Sequence, residues 1–477
     1  MRSEAATRDL TEGSLIKNIL LFSFPLILTN ILQILYNAAD MMIVGLSSEP
    51  DGVGAIGMTS SLVSLVINLY MGFATGTNIV LARHLGAKND RAASATVHTS
   101  LLLAVFFGLL STLIGLSLAR PVLEAMGASG KLLDLATLYT SIYFCGAPFL
   151  SLANYMFAIF RAQGDTKTPL IVLTFTGILN VLLNLFFVFA CHMSVEGVAI
   201  ATVIANALSF FILLWVLARR EGPCRFSMKE LKINKASLYS ILQLGLPAAI
   251  QGSLFSLSNV IIQSSILQIN NAVTPPGATF QPVVKGNAAL ANLEGFVYTI
   301  VQSIYLASIT FTSQHLGARK YRRIWRVMLT CHVLGFLFGT LAGSIIFFGR
   351  EFLVSLYGVV DGVIGSAEHI AFETTLTRSY YVLLTYGLLS WMDTGCGVVR
   401  GLGKSTTSTV ISLIGACLFR IAWLLLVFPV FPTLEIVYLS FPISWFITGM
   451  AQFTCAMIHL RRLIRNEPAE ALTEAVA

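Results

Sequence analysis

The sequence predicts an all-α integral membrane protein with twelve transmembrane helices in two six-helix bundles, related by a pseudo-two-fold axis along the membrane normal. Composition is the first indication, because 56% of the 477 residues are hydrophobic, 11% are charged and the mean hydropathy is +0.80. Soluble domains carry about 25% charged residues. The apolar residues also form blocks of about 20, the length that crosses a hydrocarbon layer as a helix. Finally, landmarks of the first half recur in order in the second.

The twelve predicted spans alternate with short polar connections. In chain order they are 15–44, 53–82, 94–119, 132–160, 168–190, 194–218, 238–268, 288–313, 326–349, 376–399, 406–430 and 434–460. Of the 30 Lys and Arg residues, 24 lie in the two termini and in the connections on the same side as the termini. The positive-inside rule therefore predicts a multi-pass protein of the bacterial inner membrane with both termini in the cytoplasm.

The internal repeat is carried by three pairs of landmarks. They are Phe22-Ser-Phe-Pro25 with Leu244-Gly-Leu-Pro247, His84-Leu-Gly-Ala-Lys88 with His315-Leu-Gly-Ala-Arg319, and Arg161-Ala-Gln-Gly164 with Arg400-Gly-Leu-Gly403. Each copy holds six helices and returns the chain to its starting side, which indicates parallel rather than inverted repeats. We predict an N-lobe over 1–218, a cytoplasmic linker over 219–237, a C-lobe over 238–460 and a cytoplasmic tail over 461–477.

Several function classes are disfavoured by the same sequence. The formal charge is +7, but the basic residues lie mainly in the loops on one side of the membrane. No soluble module with a basic face for nucleic acid is therefore indicated. The seven cysteines are scattered singly, and no Walker-type phosphate loop or cluster of carboxylates is present. We therefore expect a transporter rather than a membrane enzyme, working as a monomer in lipid, with no cofactor other than a coupling ion.

Asp40 is the main candidate for ion coupling. It lies deep in the first span, where a carboxylate costs about 2.5–3.5 kcal/mol on insertion scales. Gln33, Tyr36 and Asp40 share one helical face by their spacing of three and four residues. Burial favours the protonated form of such a group, and a nearby cation favours the ionised form. The alternative is a structural carboxylate that is hydrogen-bonded across helices.

Two amide and hydroxyl pairs on the fifth and sixth spans offer neutral oxygens. They are Asn180 with Asn184, and Thr202 with Asn206, each four residues apart. With Asp40 they could form an oxygen-rich site in which Asp40 and Asn180 are possible sodium ligands. The alternative is polar contact between membrane helices, worth about 0.6 kcal/mol each.

In the second half, the deep charges are Asp393 and Arg420. They either pair as a tie between helices or face a cavity, where Asp393 would attract cationic substrates. We assign Gln33, Asn206, Asp393 and Arg420 to the predicted substrate cavity. Glu294, near the outer end of its span, is expected to be solvated.

Several passages resemble the multidrug and toxic compound extrusion (MATE) family over nearly the whole chain. They are Thr11-Glu12-Gly13-Ser14, Tyr36-Asn37-Ala38-Ala39-Asp40 through Gly45, Gly54-Ala55-Ile56-Gly57, Arg161 through Thr166, Ala201-Thr202 and Val399 through Gly403. The resemblance implies secondary export of small organic, often cationic, compounds in exchange for sodium ions or protons. An alternative within the same broad fold is a flippase for a lipid-linked oligosaccharide precursor, which would need a more basic cavity.

Two departures from the family pattern concern the coupling site. Many relatives of the DinF-like branch carry Asn and Asp four residues apart in the fifth helix, where this chain has Asn180 and Asn184. The acidic residue that the NorM-like branch carries in the seventh helix is absent from Gln251 to Asn259. The chain therefore resembles the DinF-like branch more, with one expected carboxylate missing.

Overall fold

The computed structural model describes residues 9–46 and 51–466, and all regular elements in those ranges are helical. The first half contains α1 (Leu15–Gly45), α2 (Gly52–Gly86), α3 (Asp90–Ala125), α4 (Gly130–Cys145), α5 (Ala147–Ala162), α6 (Lys167–Leu185) and α7 (Val195–Arg219). The second contains α8 (Lys235–Val273), α9 (Pro282–Gly317), α10 (Tyr321–Phe348), α11 (Arg350–Ser355), α12 (Ala367–Tyr381), α13 (Tyr386–Gly401), α14 (Ser405–Ser412), α15 (Phe419–Leu426) and α16 (Leu434–Arg465). Two π-helical turns, Phe186–Ala190 and Leu413–Leu418, continue α6 and join α14 to α15.

Within the described ranges, eleven helical segments are long and apolar enough to cross a membrane, and the bent pair α4 and α5 makes a twelfth. The predicted all-α fold of twelve membrane helices is thus confirmed. The fourth span is bent by 52° at Gly146, where α4 gives way to α5. Pro148 lacks the N–H that a continuous helix needs, which explains the break.

The chain forms two compact units. The first contains Phe24–Gly252 and the described residues before Gly13, and the second contains Gly13–Ser23 and the described residues from Ser253 onward. The divisions therefore fall inside α1 and inside α8.

Small residues allow close helix packing inside the first unit. A Cβ added to Gly72 on α2 would lie 2.4 Å from the backbone of Ala249 on α8, and one added to Gly76 would lie 2.5 Å from the carbonyl oxygen of Ile241. Gly72 and Gly76 are four residues apart, the spacing that lets membrane helices approach closely. This contact fixes the first half of α8 within the first unit.

The segment between α7 and α8 is held within the first unit by polar contacts. Arg220 donates hydrogen bonds to the carboxylate of Asp165 and to the hydroxyl of Thr168. The ring of His98 accepts a 3.0 Å hydrogen bond from the backbone N–H of Ser227 through Nε2. Burial raises the pKa of Asp165, but hydrogen bonds from Arg220 and Thr168 outweigh it and leave this pKa below its ordinary value.

The backbone supports the sequence repeat. Lys88 and Arg319, which end the two His-Leu-Gly-Ala motifs, both adopt positive φ angles of 52° and 55°. Gly164 and Gly403 end the third pair of motifs, with φ angles of 78° and 81°. Positive φ is uncommon outside glycine, so its recurrence at Lys88 and Arg319 indicates that the two halves turn in the same way at matching places.

Candidate functional site

The first unit brings three of the predicted coupling residues onto the Asp40 carboxylate or its direct partners. Asp40, on α1, is 9% exposed. Its Oδ1 atom accepts a 2.5 Å hydrogen bond from Nδ2 of Asn184 on α6, and its Oδ2 atom accepts a 3.5 Å hydrogen bond from the hydroxyl of Thr202 on α7. Three helices therefore converge on one carboxylate.

Asn180 extends this cluster by one helical turn. Its Nδ2 atom donates to Oγ1 of Thr202 at 3.4 Å, and its Oδ1 atom accepts from Nδ2 of Asn184 at 3.4 Å. Asn180 is 4% exposed and Asn184 is fully buried. Oδ1 of Asn184 is buried and has no hydrogen-bond partner among the described residues. A buried acceptor of this kind is costly unless a proton donor or a cation satisfies it.

Tyr36 contacts α6, the helix that carries Asn180 and Asn184, but it does not contact the Asp40 carboxylate. Its hydroxyl donates to the carbonyl oxygen of Thr174 at 3.3 Å. A Cβ added to Gly177 would lie 1.9 Å from the Tyr36 ring, so the absence of a side chain at Gly177 makes room for this ring against α6. Tyr36 thereby fixes the distance between α1 and α6 next to the cluster.

Two further predicted residues are not part of the cluster. Gln33 is exposed and Asn206 is half-buried. Neither forms a hydrogen bond with another described residue. Conversely, Tyr139 on α4 is buried and close enough to Asp40 for electrostatic interaction. No motif marked this tyrosine, since its proximity arises only from tertiary packing.

Each of the two π-helical turns lies close to a candidate residue. Phe186–Ala190 follows Asn184 by two residues, and Leu413–Leu418 precedes Arg420 by two residues. Isolated π turns are frequent at functional sites because they re-aim nearby side chains.

The second unit contains a buried ion pair that corrects the expectation of a solvated Glu294. Glu294 on α9 and Arg378 on α12 are each 6% exposed. Both carboxylate oxygens accept hydrogen bonds from the Arg378 guanidinium at 2.7 Å. Arg378 also donates to Oδ1 of Asn287 at 2.5 Å, and the Tyr438 hydroxyl donates to the same oxygen at 3.1 Å. The sequence alone does not indicate that Glu294 is buried in an ion pair, because Arg378 is 84 positions away in the chain.

Asp393 and Arg420 do not form an ion pair. Nε of Arg420 on α15 instead donates to the hydroxyl of Ser444 on α16 at 2.8 Å. The Arg420 guanidinium lies 4.3 Å from the ring centroid of Phe441. Asp393 on α13 is half-buried, accepts no hydrogen bond from a described residue, and interacts with Arg420 only electrostatically. A direct ion pair was one of the two alternatives for Asp393 and Arg420, and the structure contradicts it.

The candidate site contains a single carboxylate and neutral oxygens. Among the described residues, no group of three His, Cys, Asp or Glu side chains could hold a metal ion. The oxygens of Asp40, Asn180, Asn184 and Thr202 carry at most one negative charge together. This arrangement suits a proton or a monovalent cation better than a multivalent one.

Comparisons with known proteins agree on one family. The MatE family model matches residues 25–186 and 283–425. The probable multidrug resistance protein YoeA of Bacillus subtilis is 27% identical over 359 residues, covering 74% of this chain and 75% of that protein. The probable multidrug resistance protein NorM of Thermotoga maritima is 24% identical over 409 residues, covering 83% of this chain and 82% of that protein.

Solved structures share the fold. The outward-facing conformation of a multidrug resistance MATE family transporter of the MOP superfamily aligns with a TM-score of 0.86 at 18% identity, covering 97% of this chain and all of that one. The family model matches more than half of the chain, and the relatives match most of it. The chain therefore belongs to the MatE, or multidrug and toxic compound extrusion, family of membrane transporters.

Proposed function

We propose that the protein is a secondary active antiporter of the inner membrane, which exports organic, often cationic, compounds in exchange for protons or sodium ions by alternating access. Relatives named as multidrug resistance proteins support the export of small molecules. They do not favour the flippase alternative. In this proposal the N-lobe binds the coupling ion, and both termini lie in the cytoplasm.

The observation that carries the proposal is the environment of Asp40 and Asn184. Nδ2 of Asn184 donates to Asp40, while Oδ1 of the same amide is buried and accepts no hydrogen bond in the described part of the chain. An amide can donate to an ionised carboxylate, or, after rotation of its side chain, accept from a protonated one. Asn184 can therefore stabilise Asp40 in both protonation states, which a coupling carboxylate requires.

The same oxygens support sodium as the alternative coupling ion. Asp40, Asn180 and Thr202 belong to one hydrogen-bonded cluster, and hard cations take oxygen ligands. Binding sodium would also satisfy the free oxygen of Asn184. The cluster therefore supports either ion, with Asp40 as the only charged group.

The proposed substrate residues lie outside this cluster. Gln33 and Asn206 are not engaged in hydrogen bonds with described residues, which leaves them available to a substrate. Asp393, in the second unit, forms no ion pair with another described residue, although Arg400 and Arg420 interact with it electrostatically, and its carboxylate would attract a cationic group. Arg420 is the fourth residue of this set.

The test is an assay of export from cells that produce the wild type or one of three variants. We expect Asp40→Asn to abolish the dependence of export on pH or sodium, because the only charged group of the cluster is lost. Asn184→Leu should weaken this dependence without abolishing it, because it removes a hydrogen-bond donor to Asp40 but leaves the carboxylate in place. Asp134→Asn is the control, since Asp134 lies in the same unit with a side chain that is 66% exposed.

The outcome that would refute the proposal is equally specific. Export by Asp40→Asn at the wild-type rate, with unchanged dependence on pH and sodium, would show that Asp40 does not couple transport to an ion.

A further inference from the structure

The guanidinium of Arg420 is buried, and no carboxylate of a described residue pairs with it. It is 7% exposed, and its only hydrogen bond with a described residue is the 2.8 Å bond from Nε to Ser444. Nη1 and Nη2 thus have no hydrogen-bond partner in the part of the chain that the structure describes. A buried charge is costly unless it is paired and hydrogen-bonded. The site therefore favours an anion supplied from outside the protein.

The internal repeat gives this position an independent meaning. The halves are offset by 239 positions at Arg161 and Arg400, and again where Glu196 and Glu435 occupy the second residues of α7 and α16. Between these landmarks, a π turn precedes Arg420 in the second half and another follows Asn180 in the first. A π turn accommodates one more residue than a regular turn. The π turn of the second half, Leu413–Leu418, therefore raises the offset between the halves from 239 to 240, and the π turn of the first half, Phe186–Ala190, returns it to 239. In the stretch where the offset is 240, Arg420 corresponds to Asn180.

The local geometry at the two positions agrees with this pairing. Asn180 donates from Nδ2 to the hydroxyl of Thr202 on α7. Arg420 donates from Nε to the hydroxyl of Ser444 on α16, the helix that corresponds to α7 in the repeat. The first unit thus places a neutral amide near its carboxylate, whereas the second unit places a fixed positive charge at the matching point.

We propose that Arg420 forms an anion subsite, which binds a carboxylate of the exported compound through the free edge of its guanidinium. This inference rests on the proposed export function and narrows its substrate class to aromatic compounds that carry both a cationic group and a carboxylate. A guanidinium presents paired donors that match the two oxygens of a carboxylate. Phe441 and Trp445, whose ring centroids lie 4.3 and 5.8 Å from the guanidinium, add an apolar surface for an aromatic ligand.

The neighbouring Asp393 completes the recognition of such a compound. Its carboxylate interacts electrostatically with Arg400 and, to a smaller extent, with Arg420, but it forms no ion pair with any described residue. A ligand with one positive and one negative group would satisfy both residues at once. A purely cationic ligand would leave the Arg420 charge unpaired.

The experiment measures the binding of two dyes to the purified full chain by fluorescence anisotropy. Rhodamine 110 carries a free carboxylate, and rhodamine 123 is its methyl ester on the same aromatic core. We expect the wild type to bind the acid about tenfold more tightly than the ester, as one charge-assisted pair allows. Arg420→Gln should remove this preference and leave the affinity for the ester unchanged. Arg420→Lys should keep part of the preference for the acid, because lysine retains the positive charge but not the paired N–H donors of the guanidinium.

The control variant is Arg219→Gln, because Arg219 also lies over an aromatic ring, that of Trp215, at 4.3 Å. It should leave both affinities unchanged. Equal binding of acid and ester by the wild type, binding of neither dye, or equal weakening of both in Arg420→Gln would overturn the inference. If Arg420→Gln does not fold, the ratio in the wild type and in Arg420→Lys decides.

This readout is separate from the test of the antiport proposal. Dye binding in detergent requires no ion gradient. A protein whose export proves independent of Asp40 but which prefers the acid through Arg420 would refute the coupling proposal and support the anion subsite. The opposite pair of results would do the reverse.

Discussion

The buried ion pair between Glu294 and Arg378 is expected to be a major contributor to the stability of the second unit. Two hydrogen bonds of 2.7 Å join the two side chains, and each residue is 6% exposed. Glu294→Gln keeps the size of the side chain but leaves the Arg378 charge without a counter-ion. Removing one partner of a buried pair costs about 3–5 kcal/mol. We expect a decrease of that size in the free energy of unfolding.

A solvent-exposed ion pair in the first unit provides the matched control. Arg120 and Glu124 are joined at 3.1 Å, with side chains that are 57% and 52% exposed. Exposed pairs contribute about 0–1 kcal/mol, so Glu124→Gln should change stability by no more than that. The two substitutions are chemically identical and differ only in burial.

The assay is unfolding in mixed detergent and SDS micelles, followed by the reactivity of the buried thiols of Cys331 and Cys396. The double variant Glu294→Leu with Arg378→Met should recover most of the loss, because it removes both charges. A loss below about 1 kcal/mol in Glu294→Gln, equal to the exposed control, would show that the reasoning about this pair is wrong.

Three further predictions concern the first unit. Gly177→Ala should displace Tyr36 and destabilise the protein by about 1–3 kcal/mol, the usual cost of overpacking, because its Cβ would lie 1.9 Å from the tyrosine ring. The interactions that hold the pKa of Asp165 below its ordinary value stabilise the folded protein above about pH 4, and this stabilisation is lost as the pH falls further. Arg220→Gln should remove most of it, which thermal unfolding at pH 7 would measure. Cys191, which is exposed, should react with a membrane-impermeant maleimide added to intact cells, if its end of α6 faces outward as the charge distribution predicts.

Each of these predictions has a control and a contradicting result. Gly57→Ala introduces the same methyl group where no atom lies within 4 Å, and a loss of stability equal to that of Gly177→Ala would contradict the packing argument. Arg225→Gln alters an exposed arginine of the same segment, and an effect at pH 7 as large as that of Arg220→Gln would argue against the Asp165 contact. Cys191→Ser is the control for the labelling, and either no labelling of the wild type or labelling that is unchanged in Cys191→Ser would contradict the outward position of Cys191.

Much of the fold could be predicted because its determinants are local. Apolar blocks of membrane-spanning length indicate helices directly, and the repeated motifs containing Pro25 and Pro247 indicate the duplication. The Asp40 cluster was also predictable in part, because a deep carboxylate and amides four residues apart are visible in the sequence. Asn184, Thr202 and Asp40 are indeed hydrogen-bonded.

The remainder depends on contacts between distant parts of the chain. Glu294 and Arg378 are 84 positions apart, and no local pattern indicates that they meet. The same holds for Tyr139, which packs near Asp40 from another helix. The π turns also have no clear sequence signal, although the one before Arg420 changes the register of the repeat by one residue. Without that shift, the offset of 239 would place Arg420 opposite Val181 rather than opposite Asn180.

The most direct test of coupling at Asp40 is substrate flux in liposomes that contain the purified protein. A proton gradient and a sodium gradient are imposed one at a time, with the wild type and Asp40→Asn compared in each. We predict that one gradient drives uptake of an organic cation by the wild type and that neither drives uptake by Asp40→Asn. Equal gradient-driven flux in the two proteins would contradict the assignment of Asp40 as the coupling residue.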